Sequence, residues 1–247
     1  MVDVRYFKWK GKWNVKFLPE QPNGFAVYLL SGQNGTVEES SCIWENHPEK
    51  RQFLDYLLAS GYTVFTSELD PKQWGNEAVS TYCEKLVQHL LKTEILNKHI
   101  HLLAEGTGAI TALKLVSRGR TAIRSMLFFN PCIYLEAYYE FECQNKLYYK
   151  KLKHELSQAY GVKPERINHQ WVRHISNPPL HKVWPPLLLI HQVNERRYPL
   201  PNHSRKLEGD LLRLKQSVQL KLFSSTRRFD AISEPTVQFF QKHERIL

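Results

Sequence analysis

Polarity along the chain switches between two periods. FAVYLL (25–30), YTVFTSEL (62–69), HIHLLA (99–104), IRSMLFFNP (123–131), PPLLLIHQ (185–192) and VQLKLFSS (218–225) are short apolar or alternating runs bounded by turn residues. Such runs predict β-strands. Between them, apolar residues recur at helical spacing. Residues 48–60 carry Phe53, Leu54, Leu57 and Leu58 on one face, with Gly61 as a stop. A longer helix is predicted over 76–96 through Val79, Leu86, Leu90 and Leu91, and others over 107–118 and 234–243. Residues 4–18 alternate basic and apolar positions around Gly11, as a hairpin does. Strands alternating with helices predict an α/β fold with a mostly parallel sheet flanked by helices.

One stretch breaks the alternation. From about 133 to 182 no strand-like run occurs, and helical patterns rich in Tyr, Lys and His end at Asn177-Pro178-Pro179. The division expected is a core of residues 1–131 and 183–247 with a helical cap insertion at 132–182. The cap would lie over the carboxyl edge of the sheet, where open α/β sheets bind ligands.

The most informative stretch is LLAEGTGAITAL (102–113), in which a strand turns through two glycines into a helix. A nucleophile elbow has this shape: small residues flank the nucleophile because strand and helix nearly touch, and the next residue donates a backbone N–H to the oxyanion. Here the chain resembles the α/β-hydrolase fold family, from FAVYLL to the C-terminal helix. Ala104-Glu105-Gly106-Thr107-Gly108 aligns with the family's Gly-x-Ser-x-Gly. Ser31-Gly32 falls where the family often has His-Gly beside the oxyanion hole, so Gly32 and Thr107 take the oxyanion-hole positions. PPLLLIHQVNERRYP (185–199) resembles the strand and loop bearing the catalytic acid, with Glu195 in its place. LKLFSSTRRFDAISEP (220–235) resembles the last strand and the loop bearing the histidine, and Arg228 occupies that position within a residue.

The resemblance thus implies a degenerate triad. Gly106 has no side chain and forms no acyl-enzyme. Arg228 stays protonated and accepts no proton. Glu195 in such company pairs with Arg228. The expectation is a pseudoenzyme that binds or scaffolds. The alternative is an active ester or acyl hydrolase with a displaced nucleophile, Thr107 or Ser31. Each of these has a structural reading beside the functional one. Thr107 is a helix-capping residue, Glu105 a solvated or capping carboxylate that could also touch a ligand, and Ser31 a small turn residue that could face the cleft. His191 is read as structural, His203 and Ser204 as a surface pair at a helix start, and His243 as exposed.

Composition narrows the picture only a little. Hydrophobic residues make up 42% of the 247 and charged residues 23%, as in an ordinary globular domain. No apolar run approaches a membrane span and the first residues lack a signal-peptide core. Cys42, Cys83, Cys132 and Cys143 are scattered, which predicts reduced thiols in a cytoplasmic protein. Neither a metal nor a cofactor is expected. The net charge of +10 favours an anionic contact. Residues 146–182 hold eight Lys or Arg against two acids, interleaved with Tyr148, Tyr149, Tyr160 and Trp171. An unknown protein or an anionic ligand, at the cleft or at this basic segment, is the expected partner; nucleic acid and a membrane surface are weaker options.

Overall fold

A computed structural model of the chain describes residues 3–32, 37–224 and 230–244. Eight strands form one sheet: β1 (Asp3–Trp9), β2 (Lys12–Leu18), β3 (Ala26–Leu30), β4 (Thr63–Ser67), β5 (Ile100–Glu105), β6 (Ile123–Phe129), β7 (Leu187–Gln192) and β8 (Val218–Phe223). Their order is β1-β2-β4-β3-β5-β6-β7-β8. β1 and β2 are an antiparallel hairpin turned at Lys10-Gly11, both with positive φ, and β2 runs antiparallel to β4. The remaining pairings are parallel.

Central strands are buried on both faces, which explains their continuous apolar runs. On β3, Tyr28 and Leu30 point to one face, and Val27 and Leu29 to the other. The first face is covered by α3 (Glu77–Thr93), α4 (Gly108–Arg118) and α8 (Ser204–Arg213). The second is covered by α1 (Ile43–Asn46), α2 (Pro48–Ala59) and α9 (Asp230–Lys242). Both helix faces are dominated by Leu, Val and Phe, each worth about 1.5–3 kcal/mol when fully buried. The last helix begins at Asp230, four residues earlier than its apolar spacing indicates, and Pro235 lies inside it.

Between β6 and β7 stand α5 (Leu135–Cys143), α6 (Lys146–Tyr160) and α7 (His169–Ser176). Asn145 caps α6 by accepting from the N–H groups of Leu147 and Tyr148, and Asn168 caps α7 through Trp171. Their shared core includes Leu135, Tyr139, Leu156 and Val172. It continues into Trp74, Ile110 and Tyr198, which follow the carboxyl ends of β4, β5 and β7. The three helices therefore pack at the carboxyl edge of the sheet. Among the described residues no helix is long and apolar enough to cross a membrane.

Candidate functional site at the carboxyl edge

The turn between β5 and α4 is built by close approach. A Cβ on Gly108 would stand 2.0 Å from the carbonyl oxygen of Leu30, so only glycine lets α4 start against the end of β3. A Cβ on Gly32 would stand 2.9 Å from the carbonyl oxygen of Glu105 and 3.2 Å from the nitrogen of Thr107. Gly32 and Thr107 thus lie backbone to backbone. At the tip, Gly106 has φ +55°, and its N–H and C=O are tied to Phe129 and Cys132.

A Cβ on Gly106 would meet only ordinary contacts, the nearest being the Tyr198 ring at 3.7 Å. Tyr198 is 5% exposed. It stands edge-on to His203 and packs against Tyr138 of α5, with ring centroids 5.3 Å apart. An aromatic ring from the β7–α8 loop therefore packs beside the elbow tip. The nearby thiol of Cys132 is fully buried, which pushes its pKa up and keeps it protonated.

The side chains expected to flank this turn are engaged differently from their sequence-based reading. Glu105 is neither solvated nor a cap: its carboxylate pairs at 2.5 Å with Lys50 of α2, which is 6% exposed. Lys50 also lies 4.8 Å from the Trp44 ring centroid, and the Trp44 indole donates to Ser31 Oγ at 2.8 Å. Burial of the lysine explains the pairing, since an ammonium removed from water needs a partner. Ser31 is thus an acceptor for Trp44, beyond a small residue in a turn. Thr107 starts α4 but makes no capping bond; its φ of −68° and ψ of −15° are helical, whereas a capping residue is extended.

Glu195 lies in the loop after β7, where its carboxylate accepts the N–H of Arg197 at 2.8 Å. Arg228, and with it the proposed ion pair to Glu195, lies outside the described residues. His203 and Ser204 are fully buried rather than a surface pair. Ser204 Oγ is 2.8 Å from His191 Nδ1, which joins α8 to the end of β7. His203 Nδ1 accepts the N–H groups of Ile133 and Tyr134, which joins α8 to the loop after β6. Burial lowers both imidazoles, His191 to about 4 and His203 to about 3, so they are neutral struts. His243 is half-buried against Phe239, not exposed.

Sequence reasoning missed Trp74, Tyr138, Arg197 and Tyr198, which wall the region above the elbow. The Arg197-Tyr198-Pro199 run carried the available signal, an aromatic fixed beside a proline in the acid loop. On the basic segment, Lys146, Lys150, Lys153 and His154 border a surface depression of about 450 Å³, while Arg173 is already paired with Glu136. Glu136, Glu140 and His169 bring three donors within 4.8 Å of one another on that surface, with Arg173 on one of them.

No protein-family model matches the sequence, and no curated protein matches it. Solved structures do match in fold. Acylaminoacyl peptidase of Pyrococcus horikoshii superposes with a TM-score of 0.74 at 16% identity, covering 100% of this chain and 43% of that one. The chain thus spans less than half the length of that peptidase. S-formylglutathione hydrolase of Staphylococcus aureus matches with a TM-score of 0.66 at 12% identity, covering 98% of both chains. Est1E of Butyrivibrio proteoclasticus matches at 0.65 and 12%, over 97% of this chain and 98% of its own. The sheet order, the elbow and these superpositions together define an α/β-hydrolase fold.

Proposed function

We propose that the chain is an α/β-hydrolase-like pseudoenzyme, a binding protein that keeps the elbow and a cap over the carboxyl edge without triad chemistry. The observation that carries this reading is the tip of the elbow. Gly106 offers no nucleophile there, and the Tyr198 ring packs 3.7 Å from where its side chain would begin. Covalent catalysis needs a nucleophile with a base in reach and a third group orienting the base. The two displaced nucleophiles considered from sequence sit poorly for that role. Ser31 Oγ already accepts from Trp44, and Thr107 is buried at the start of α4.

One geometry favours the alternative, an ester or acyl hydrolase with a moved nucleophile: the Ser204–His191 pair at 2.8 Å. Both residues are 0% exposed, so a substrate would reach them only after the packing around them opens. Hydrolysis of a panel of short- and medium-chain aryl esters separates the readings. The expected result is no turnover above background for the wild type and for Ser204→Ala, Thr107→Val and Ser31→Ala. Wild-type turnover abolished by any one of these substitutions would establish an active hydrolase and identify its nucleophile.

A further inference from the structure

A cavity of about 560 Å³ lies between α5, α6, the Trp74 turn and the β7–α8 loop. That volume is within the range of small-molecule sites. Its aromatic lining is Trp74, Tyr138, Phe141 and Tyr148. Phe141 and Tyr148 are 41% and 54% exposed. Both rings line the same cavity, so a ligand ring held against them would cover apolar surface that is otherwise wet.

Trp74 supplies an independent observation. Its backbone is left-handed, with φ 47° and ψ 40°, a conformation that bulky side chains avoid. Several contacts hold it there. Its carbonyl accepts the Tyr160 hydroxyl at 2.8 Å, its indole donates to Glu155 at 3.2 Å, and the ring stacks on Tyr138 with centroids 5.8 Å apart. Strain of this kind, maintained by surrounding contacts, collects at ligand clamps. It places the Trp74 indole in the cavity wall, stacked on Tyr138.

Charges of both signs border the same space. Glu142 is 8% exposed, and Glu155 reaches in from α6. Arg197, close to Glu142, donates to the Tyr138 hydroxyl at 2.9 Å, and Lys151 stands exposed at the rim, one turn before Glu155 on the same helix. A purely anionic ligand would face two carboxylates, and a purely cationic one would face a guanidinium and an ammonium. A zwitterion matches both.

We infer that this cavity binds a zwitterionic small molecule bearing a planar aromatic ring, in the chemical class of an aromatic amino acid. The inference rests on the non-catalytic binding reading above and gives it a ligand class. Three probes test it by titration calorimetry on the full chain: L-phenylalanine, 3-phenylpropionate (no ammonium) and phenethylamine (no carboxylate). L-Phenylalanine is expected to bind saturably and each single-charge analogue at least about fivefold more weakly. Tyr148→Ser, at the exposed rim, and Glu155→Gln are each expected to weaken L-phenylalanine about fivefold or more, with the melting temperature of Tyr148→Ser unchanged. No saturable binding of L-phenylalanine up to its solubility, equal binding of the three probes, or indifference to both substitutions would overturn the inference. Ester turnover with L-phenylalanine binding intact would instead remove the non-catalytic reading and leave the site standing.

Discussion

The two edges of the sheet assemble different parts of what a catalytic site requires. The carboxyl edge has the architecture: a strand-turn-helix elbow, a tip with φ +55°, and Gly32 packed against the residue that follows it. Its tip, Gly106, carries no side chain. The amino edge has the side chains. His101 on β5 and Ser125 on β6 face each other at 2.8 Å, and Glu244, after α9, lies 3.4 Å from the other ring nitrogen. There the order is reversed, since Nδ1 faces the serine and Nε2 the carboxylate, whereas the catalytic arrangement puts the serine on Nε2. Phe240 stacks on the imidazole at 4.3 Å, His101 and Ser125 are 0% exposed, and burial lowers the histidine pKa. A set of residue types is therefore not a site. Chemistry needs access and ring orientation together, and the buried set at the amino edge has neither.

The largest expected effect tests the architecture of the carboxyl edge. Gly108→Ala, with its Cβ 2.0 Å from a backbone oxygen, should cost more than about 3 kcal/mol in urea unfolding, because β3 and α4 must separate. Gly106→Ser, two residues away, has room and should cost only about 1 kcal/mol for a left-handed non-glycine residue. Equal losses at the two positions would show that the elbow is not packed as described.

Acid should act through the neutral struts of the carboxyl edge. His191 and His203 bind no proton in the folded protein until about pH 4 and about pH 3, while in the unfolded chain they protonate near 6.5. The unfolded state therefore holds more protons between these values. Their contribution is intact above about pH 6.5 and falls as the pH drops through that window, by about 1 kcal/mol per pH unit for each histidine. Urea midpoints measured between neutral pH and about pH 5 should show this slope, and His203→Gln should flatten it. An unchanged slope in that variant would place the acid sensitivity elsewhere.

The smallest pair of effects returns to the hydroxyls. Ser125→Ala leaves the buried His101 Nδ1 without its partner and should cost about 1–2 kcal/mol. Thr107→Val removes a hydroxyl that caps nothing and should cost less than about 0.5 kcal/mol. The reverse ranking would mean that Thr107 serves the elbow after all.

Several features were legible before the structure. Strands buried on both faces read as apolar runs because both sides of the sheet are covered, and the Lys10-Gly11 turn declared its hairpin. The elbow showed itself through the spacing of Gly106 and Gly108. The boundaries of α3 were overestimated by a residue at the start and three at the end, where Asn76 caps it and Glu94 turns extended. Lys50 and Glu105 gave no sign of each other, because fifty-five residues separate them and only the docking of α2 brings them together.

Local periodicity and turn chemistry determined the alternation of strands and helices, the glycine turn and the absence of a side chain at its tip. These are properties of a few consecutive residues, and short-range sterics decide them. Tertiary structure alone decided that Tyr198 packs beside the elbow tip, that Ser204 and His203 are buried, and that Trp74, Glu142, Glu155 and Arg197 share one cavity. Those side chains come from separate elements, and what each one faces depends on how the helices after β4, β6 and β7 pack together at one edge of the sheet.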